Sequence, residues 1–370
     1  MRKNRGITLV ALVITIIVLI LLAGVTVSLL VGDSGVITKA KQGKTNMTNA
    51  QGEEQTGLDQ LYEELLAGEG EQEEGYEQEI ANFQMAQRNL MDGDSLIQTA
   101  SDAFTEMQNM LQYVNELVMS VIRDSSADKE SIQSQIDALI PTQLDLTTQV
   151  DFNGVKLLDG TLQGENAWKV DVVSRKIPIE IPNMTSSGLN CTSLSVATTE
   201  EANTSQQAIA NALNRIGEEI TRLGAQREMF EMLESYYGSL NNVLANNLAV
   251  EETKKQLAVE GMKSILATLQ RISEKELQAQ TLGQTDREFI APGINQLKEM
   301  INIIAEDLSL KGQKLLNGSF LEIPNLNSVG LGKNGEELFT DITTDANITE
   351  SIAQSQEAIT KVNTLIESMK

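Results

Sequence analysis

LQYVNELVMSVIRDSSADKESIQSQIDALIPTQLDLTTQVDFNGVKLLDG occupies Leu111–Gly160, and a related stretch ending in LKGQKLLNG occupies Leu269–Gly318. The two align without a gap at a shift of 158 positions, the distance from Leu111 to Leu269, and 13 of the 50 residues are identical. Leu111/Leu269, Glu116/Glu274, Asp128/Asp286, Ile136/Ile294, Lys156/Lys314 and Gly160/Gly318 are among the matched pairs. Self-similarity of this length predicts a duplicated structural unit. The repeated unit reads as helix and carries no reactive constellation, which points to a structural protein rather than an enzyme.

Working outward, the apolar positions Ile97, Ala100, Phe104, Met107, Leu111, Val114, Val118 and Val121 alternate steps of three and four. That spacing predicts a helix with a coiled-coil-like seam over 97–123. A shorter helix is expected over Asp128–Val150, kinked or ended at Pro141. Asn153-Gly154 and Asp159-Gly160 mark turns. WKVDVVSRKIPIEI (168–181) partly alternates and reads as two short strands. A long helix over 205–247 carries the seam Ile209, Leu213, Ile216, Ile220, Leu223, Phe230, Leu233, Tyr237, Leu240 and Leu244, interrupted by Arg227. Neither long helix hides its seam alone, so the simplest arrangement packs them antiparallel with the short helix against both. Packing is thus assigned to Ile97, Phe104, Leu111, Val114, Val118, Ile216, Ile220 and Leu223. The second copy repeats the plan with losses: Val259–Glu276, then Ile290–Ile304, a segment over Leu321–Asp345, and a last helix from Ile348. That last helix aligns with the start of the 205–247 helix, Ile359 and Val362 falling where Leu213 and Ile216 sit. It stops where the first copy reads Leu223-Gly224-Ala225, so the second copy's seam is expected to be partly unpaired and to seek a partner.

Composition narrows the function. The chain has 370 residues, a net charge of −24 and only 4% aromatic residues. Such a charge argues against nucleic acid, whose phosphates need a basic face. There is no His, which removes the usual general base and the commonest transition-metal ligand. The single Cys191 allows no internal disulfide or thiolate zinc site. It is either an unpaired thiol in a small β segment or a cross-link between chains. No Gly-x-Ser-x-Gly or phosphate-binding loop occurs. No catalytic residue, cofactor or metal site is therefore assigned. Between Glu53 and Glu79 lie eleven acidic residues, and Thr45–Gln87 holds no Lys or Arg, which reads as a solvated linker.

Residues 7–31, ITLVALVITIIVLILLAGVTVSLLV, carry no charge. As a helix they reach about 37 Å, enough for a hydrocarbon core of about 30 Å. Arg2, Lys3 and Arg5 precede them and predict the N-terminus inside and the rest outside. This start resembles the leader of type IV pilins: a short basic segment ends at Gly6, and Ile7-Thr8-Leu9-Val10 opens the apolar helix. The resemblance implies cleavage between Gly6 and Ile7 by a prepilin peptidase. Ala11 stands where the pilin pattern has Glu.

FQMAQRNLMDGDSLIQTASDAFTEMQNMLQYVNELV (83–118), SIQSQIDALI (131–140) and FNGVKLLDG (152–160) resemble the N-terminal core of bacterial flagellin. LNRIGEEITRLGAQ (213–226) and SLNNVLANNLAVEET (239–253) resemble its C-terminal core, and IPIEIPNMTSSGLN (177–190) resembles the short strand region of minimal flagellins. The resemblance covers residues 80–270 and implies a filament-building role with helical subunit contacts.

Taken together, the sequence predicts a mainly α protein: long antiparallel helices in a coiled-coil-like bundle, a short β-hairpin segment and an N-terminal transmembrane helix. The expected divisions are a leader (1–6), the apolar helix (7–31), an acidic linker (32–79), a flagellin-like core (80–250) with a small β segment (161–200), and a truncated second copy (251–370). The expected function is a subunit of a bacterial surface filament, flagellar or pilus-like, self-associating at the cell surface. The alternative is a membrane-anchored adhesion or interaction module that does not polymerise.

Overall fold

A computed structural model of the chain describes residues 76–124, 126–246 and 249–369. The basic leader, the apolar run 7–31 and the acidic segment up to residue 75 lie outside the described residues. Among the described residues no helix is long and apolar enough to cross a membrane.

Among the described residues the fold is mainly helical, with three two-stranded antiparallel sheets. In chain order the elements begin with α1 (Glu77–Arg123), α2 (Lys129–Leu139), a π-helical turn (Ile140–Leu144) and α3 (Asp145–Thr147). Strands β1 (Asp151–Phe152), β2 (Val155–Lys156), β3 (Trp168–Val172) and β4 (Arg175–Ile179) follow, then α4 (Thr199–Leu244) and α5 (Val250–Ala279). The chain closes with α6 (Gln284–Asp307), β5 (Ser309–Leu310), β6 (Gln313–Lys314), α7 (Ser328–Leu331) and α8 (Asp345–Ser368). Helix α1 starts twenty residues before the seam that predicted it, because the turns upstream of Ile97 bury Phe83, Ala86, Leu90 and Leu96. Asp128 caps α2 by accepting a hydrogen bond from the Ser131 amide, 3.1 Å. The α-helical pattern gives way to a wider π turn at Ile140-Pro141, where Pro141 has no amide hydrogen to donate.

The chain divides into two compact units. Among the described residues the first takes Gln98–Asn166 and Glu180–Ile216, and the second takes 76–97, Ala167–Ile179 and 217–369. This partition differs from the expected division at 250, because α1 and α4 are each one continuous helix that contributes to both units.

In the first unit, Gln133 of α2 holds the segment before α4. Its Nε2 donates to the Leu194 carbonyl at 2.9 Å, and its Oε1 accepts from the Val196 amide at 2.8 Å. In the second unit, contacts run down α4 as they run up α1. Phe83 stacks on Tyr237 with ring centroids 5.6 Å apart, Gln87 bonds Asn241 and the Glu234 carbonyl, and Asp94 pairs with Arg227. The helices are therefore antiparallel there. Arg227, which interrupts the apolar seam, is the partner of Asp94 at 2.5 Å.

Helix α5 packs against both α6 and α8 within the second unit, burying Leu257, Met262, Ile265, Leu269 and Ile272. Along α5, α8 sets Ser351 and Ser355 against Glu276. Gly261 permits close approach, since a Cβ there would come within 2.7 Å of both Leu308 and Leu316.

The hairpins β1–β2 and β5–β6 share their turn geometry, and the loops after them, of different length, close in the same way. Asp151 pairs with Lys156 and Ser309 with Lys314, at the 158-residue shift. The turn residues Asn153 and Gly154 have φ of 52° and 80°, and Lys311 and Gly312 have 49° and 76°. These left-handed conformations suit a tight hairpin turn. Each loop then returns to the hairpin through an asparagine bridge, Asp159 to Asn183 and Asn317 to Asn325. Asn183 Oδ1 accepts the Thr185 amide at 3.0 Å, and Asn325 Oδ1 accepts the Asn327 amide at 3.1 Å. Five residues beyond each asparagine, Gly188 and Gly330 lie so close that a Cβ would sit 2.4 Å and 2.0 Å from the asparagine carbonyl oxygen. The sequence marked turns at Asn153-Gly154 and Asp159-Gly160 but not the returns at Asn183 and Asn325.

Gly330→Ala forces two backbone segments apart and should lower stability by about 1–3 kcal/mol. Gly154→Ala, with open space around the added carbon, should cost only its left-handed backbone, about 1–2 kcal/mol. Urea unfolding followed by circular dichroism checks the order: Gly330→Ala should shift the midpoint further than Gly154→Ala.

Candidate assembly core

The seam residues assigned from the sequence sit as follows. Ile97, Phe104, Leu111, Val114, Val118, Ile216 and Leu223 are fully buried, whereas Ile220 is half-buried. Ala100, Met107 and Val121 are buried as well, so every three–four position from Ile97 to Val121 faces the interior. At about 25 cal/mol per Å² such side chains contribute about 1.5–3 kcal/mol each. Gly6 and Ile7, assigned to leader processing, lie outside the described residues.

Residues 168–179 form a regular hairpin with Trp168 opposite Ile179 and Val172 opposite Arg175. Alternation places Val170, Val172, Ile177 and Ile179 inward. The sequence placed this hairpin with the first copy; it belongs to the second unit. The reason is polar and steric. Asn89 of α1 donates to the Asp171 carbonyl at 2.9 Å, and Gln226 of α4 donates to the Pro178 carbonyl at 2.7 Å. Gly93 of α1 lets the hairpin close down, since a Cβ there would lie 2.7 Å from Val170 and 2.8 Å from Phe230. Arg175 reaches α6, with Nε 2.7 Å from Asp307 and its terminal nitrogens 3.1 Å from Glu299 and 3.2 Å from Glu306. Burial disfavours the Arg175 charge, but the bonds and charge of Asp307, with Glu306 and Glu299, more than offset this and hold the guanidinium protonated. This tether was missed in the sequence because nothing local marks Arg175 as the partner of residues more than 120 positions away.

Tyr236 and Tyr237 are buried, and burial raises both phenol pKa values. Cys191 is a buried free thiol outside the strands, pushed up to about 11 by burial. It lines a cavity of about 270 Å³ with Ile136, Pro141, Asp145, Ser186 and Leu194. Asp145 is already satisfied there by the Ser186 amide and hydroxyl, both at 2.9 Å. Among the described residues no three His, Cys, Asp or Glu side chains are grouped to hold a metal ion. Large apolar side chains exposed among the described residues, including Met85, Met91, Leu277 and Leu321, all belong to the second unit.

What the geometry defines is a helical packing scaffold. The family described as the bacterial flagellin N-terminal helical region matches residues 31–163, taking in α1, α2 and the β1–β2 hairpin. The match begins where the apolar run ends and includes the segment read as an acidic linker. The chain is 42% identical over 93 residues to a flagellin of Bacillus subtilis, covering 24% of this chain and 31% of that protein. It is 27% identical over 150 residues to polar flagellin F of Vibrio parahaemolyticus, covering 38% and 40%. It is 23% identical over 171 residues to the flagellar filament core protein flaB2 of Brachyspira hyodysenteriae, covering 42% and 60%. The chain thus spans about a third of the length of the Bacillus relative and two fifths of the Vibrio one.

Removing the Arg175 tether should loosen the hairpin without melting the helices. Arg175→Ala is expected to cost about 1–2 kcal/mol at low salt, discounted for its partial exposure, and less at high salt. Trp168, the chain's single tryptophan, reports on the hairpin directly. Its fluorescence should change at lower urea in Arg175→Ala than in the parent, ahead of the helical signal.

Proposed function

We propose that the chain is a structural, non-enzymatic subunit of a bacterial surface filament built on a flagellin-like helical core. The observation that carries this reading is the coincidence of the family match with α1, α2 and the β1–β2 hairpin, where the apolar side chains of α1 are buried in helix packing. Self-association outside the cell is the partnership this implies. The duplication read from the sequence is part of the proposal, supported by two clasps that agree in strand register, turn dihedrals, asparagine bridge and glycine approach. On this reading the second copy is an added packing layer, closed by its own last helix.

Residues 7–31 form the second part of the proposal. The uncharged run behind Arg2, Lys3 and Arg5 favours a membrane-held start with the N-terminus inside, processed between Gly6 and Ile7 by a prepilin peptidase. The flagellin match starting at residue 31 supports treating that run as a separate device. A chain that keeps it uncut would serve as an anchored interaction module at the surface.

Filaments sheared from cells that make the full chain decide between these outcomes. The expected result is a pelleted fibre by electron microscopy whose subunit begins at Ile7 by mass spectrometry. A chain found only as small membrane-bound oligomers with Met1 intact would contradict the filament reading and support the anchored module.

A further inference from the structure

One buried charge position in the second unit has no counterpart in the first. Glu276 of α5 is fully buried. Its Oε1 is in hydrogen-bond contact with the Ser351 hydroxyl and, at 3.0 Å, with the Ser355 hydroxyl, both on α8. Ser351 Oγ also lies 3.2 Å from the Phe339 carbonyl. Glu276 Oε2 is buried with no hydrogen-bond partner. At the corresponding positions of the first copy, 158 and 146 residues earlier, stand Val118, Ser205 and Ile209, all buried. The pair Val118 and Ile209 is thus replaced by Glu276 and Ser355.

Counting hydrogens separates the two protonation states. Each serine hydroxyl has one hydrogen to give. If Glu276 is ionised, both hydrogens go to Oε1. The Phe339 carbonyl then loses its hydroxyl donor, and Oε2 carries buried charge without any. If Glu276 is neutral, it donates to Ser351 Oγ, Ser351 donates to the Phe339 carbonyl, and Ser355 still donates to the carboxyl. The elements around it bring no compensating cation among the described residues. On α5, Lys275 pairs with Glu228, and Glu274 with Arg271. On α6, Arg287 pairs with Asp345 and Lys298 with Glu337. The α8 carboxylates Glu350 and Glu357 face Lys333.

We propose that Glu276, Ser351 and Ser355 form a protonation-dependent latch: the neutral carboxyl holds the last helix α8 on α5, and ionisation releases it. Burial raises the Glu276 pKa, opposed by the two serine hydroxyls. A raised carboxyl contributes stability that is fully present below the ordinary value of 4.5 and is lost as pH rises through the folded-state value. Release would uncover the apolar face of α5 at Met262, Ile265, Leu269 and Ile272.

Amide exchange of the full chain, corrected for the intrinsic chemical rate, reads the opening of α8 directly. Between the unfolded-state and folded-state values the opening constant should rise about tenfold per pH unit, then level off. Helix α2 of the first unit should show no such slope. Glu276→Gln should flatten the α8 profile and increase protection at the alkaline end. The double change Glu276→Val with Ser355→Ile, which installs the first copy's apolar pair, should do the same. A flat parent profile, an equal slope in α2, or a slope retained in either variant would overturn the latch.

Discussion

Everything in this fold depends on one constraint: two helices of more than forty residues each carry an apolar stripe that neither can bury alone. From Ile97 to Val121 the stripe steps by three and four, and every position on it is buried. Helix propensity does not hold elements of this length in one place; packing of the stripe does. In the second unit, where 77–97 of α1 meet 217–244 of α4, polar groups set the alignment that apolar side chains leave loose. Gln87 with Asn241 and Asp94 with Arg227 specify antiparallel order.

The second unit solves the same problem with different chemistry. Its α5 lies against α6 and α8, and at Glu276 a hydroxyl–carboxyl cluster stands in the interior. A buried polar group is costly unless paired. Such a cluster also makes partner choice selective. Against α8 the carboxyl meets two hydroxyls; against a helix with Ile209 at that place it would meet a hydrocarbon. On the proposed duplication, two similar repeats in one chain risk exchanging helices, and a polar position in one of them opposes that exchange.

The helices were legible in the sequence because their burial pattern is local and periodic. The seam residues, the two strands around Trp168 and the helix break near Pro141 could all be read from spacing and residue type. The hairpin's association was not legible, since it rests on Arg175 reaching Asp307 and on the missing side chain of Gly93. Nor were the asparagine clasps, in which Asn183 and Asn325 look like ordinary turn residues until the chain returns to them. Glu276 was within reach: laying the copies side by side puts a carboxylate where Val118 sits in the seam. The overlooked signal was a mismatch between the repeats, not a match.

The helical-core account rests on α1 and α4 closing upon each other within one chain. A short bismaleimide cross-linker tests this in a Cys191→Ser background carrying Gln87→Cys and Asn241→Cys, positions whose native side chains bond at 3.0 Å. Mass spectrometry of the digested product should find the two positions joined within a single chain, with helical content unchanged. Cross-links formed only between chains, or none at all, would contradict the account.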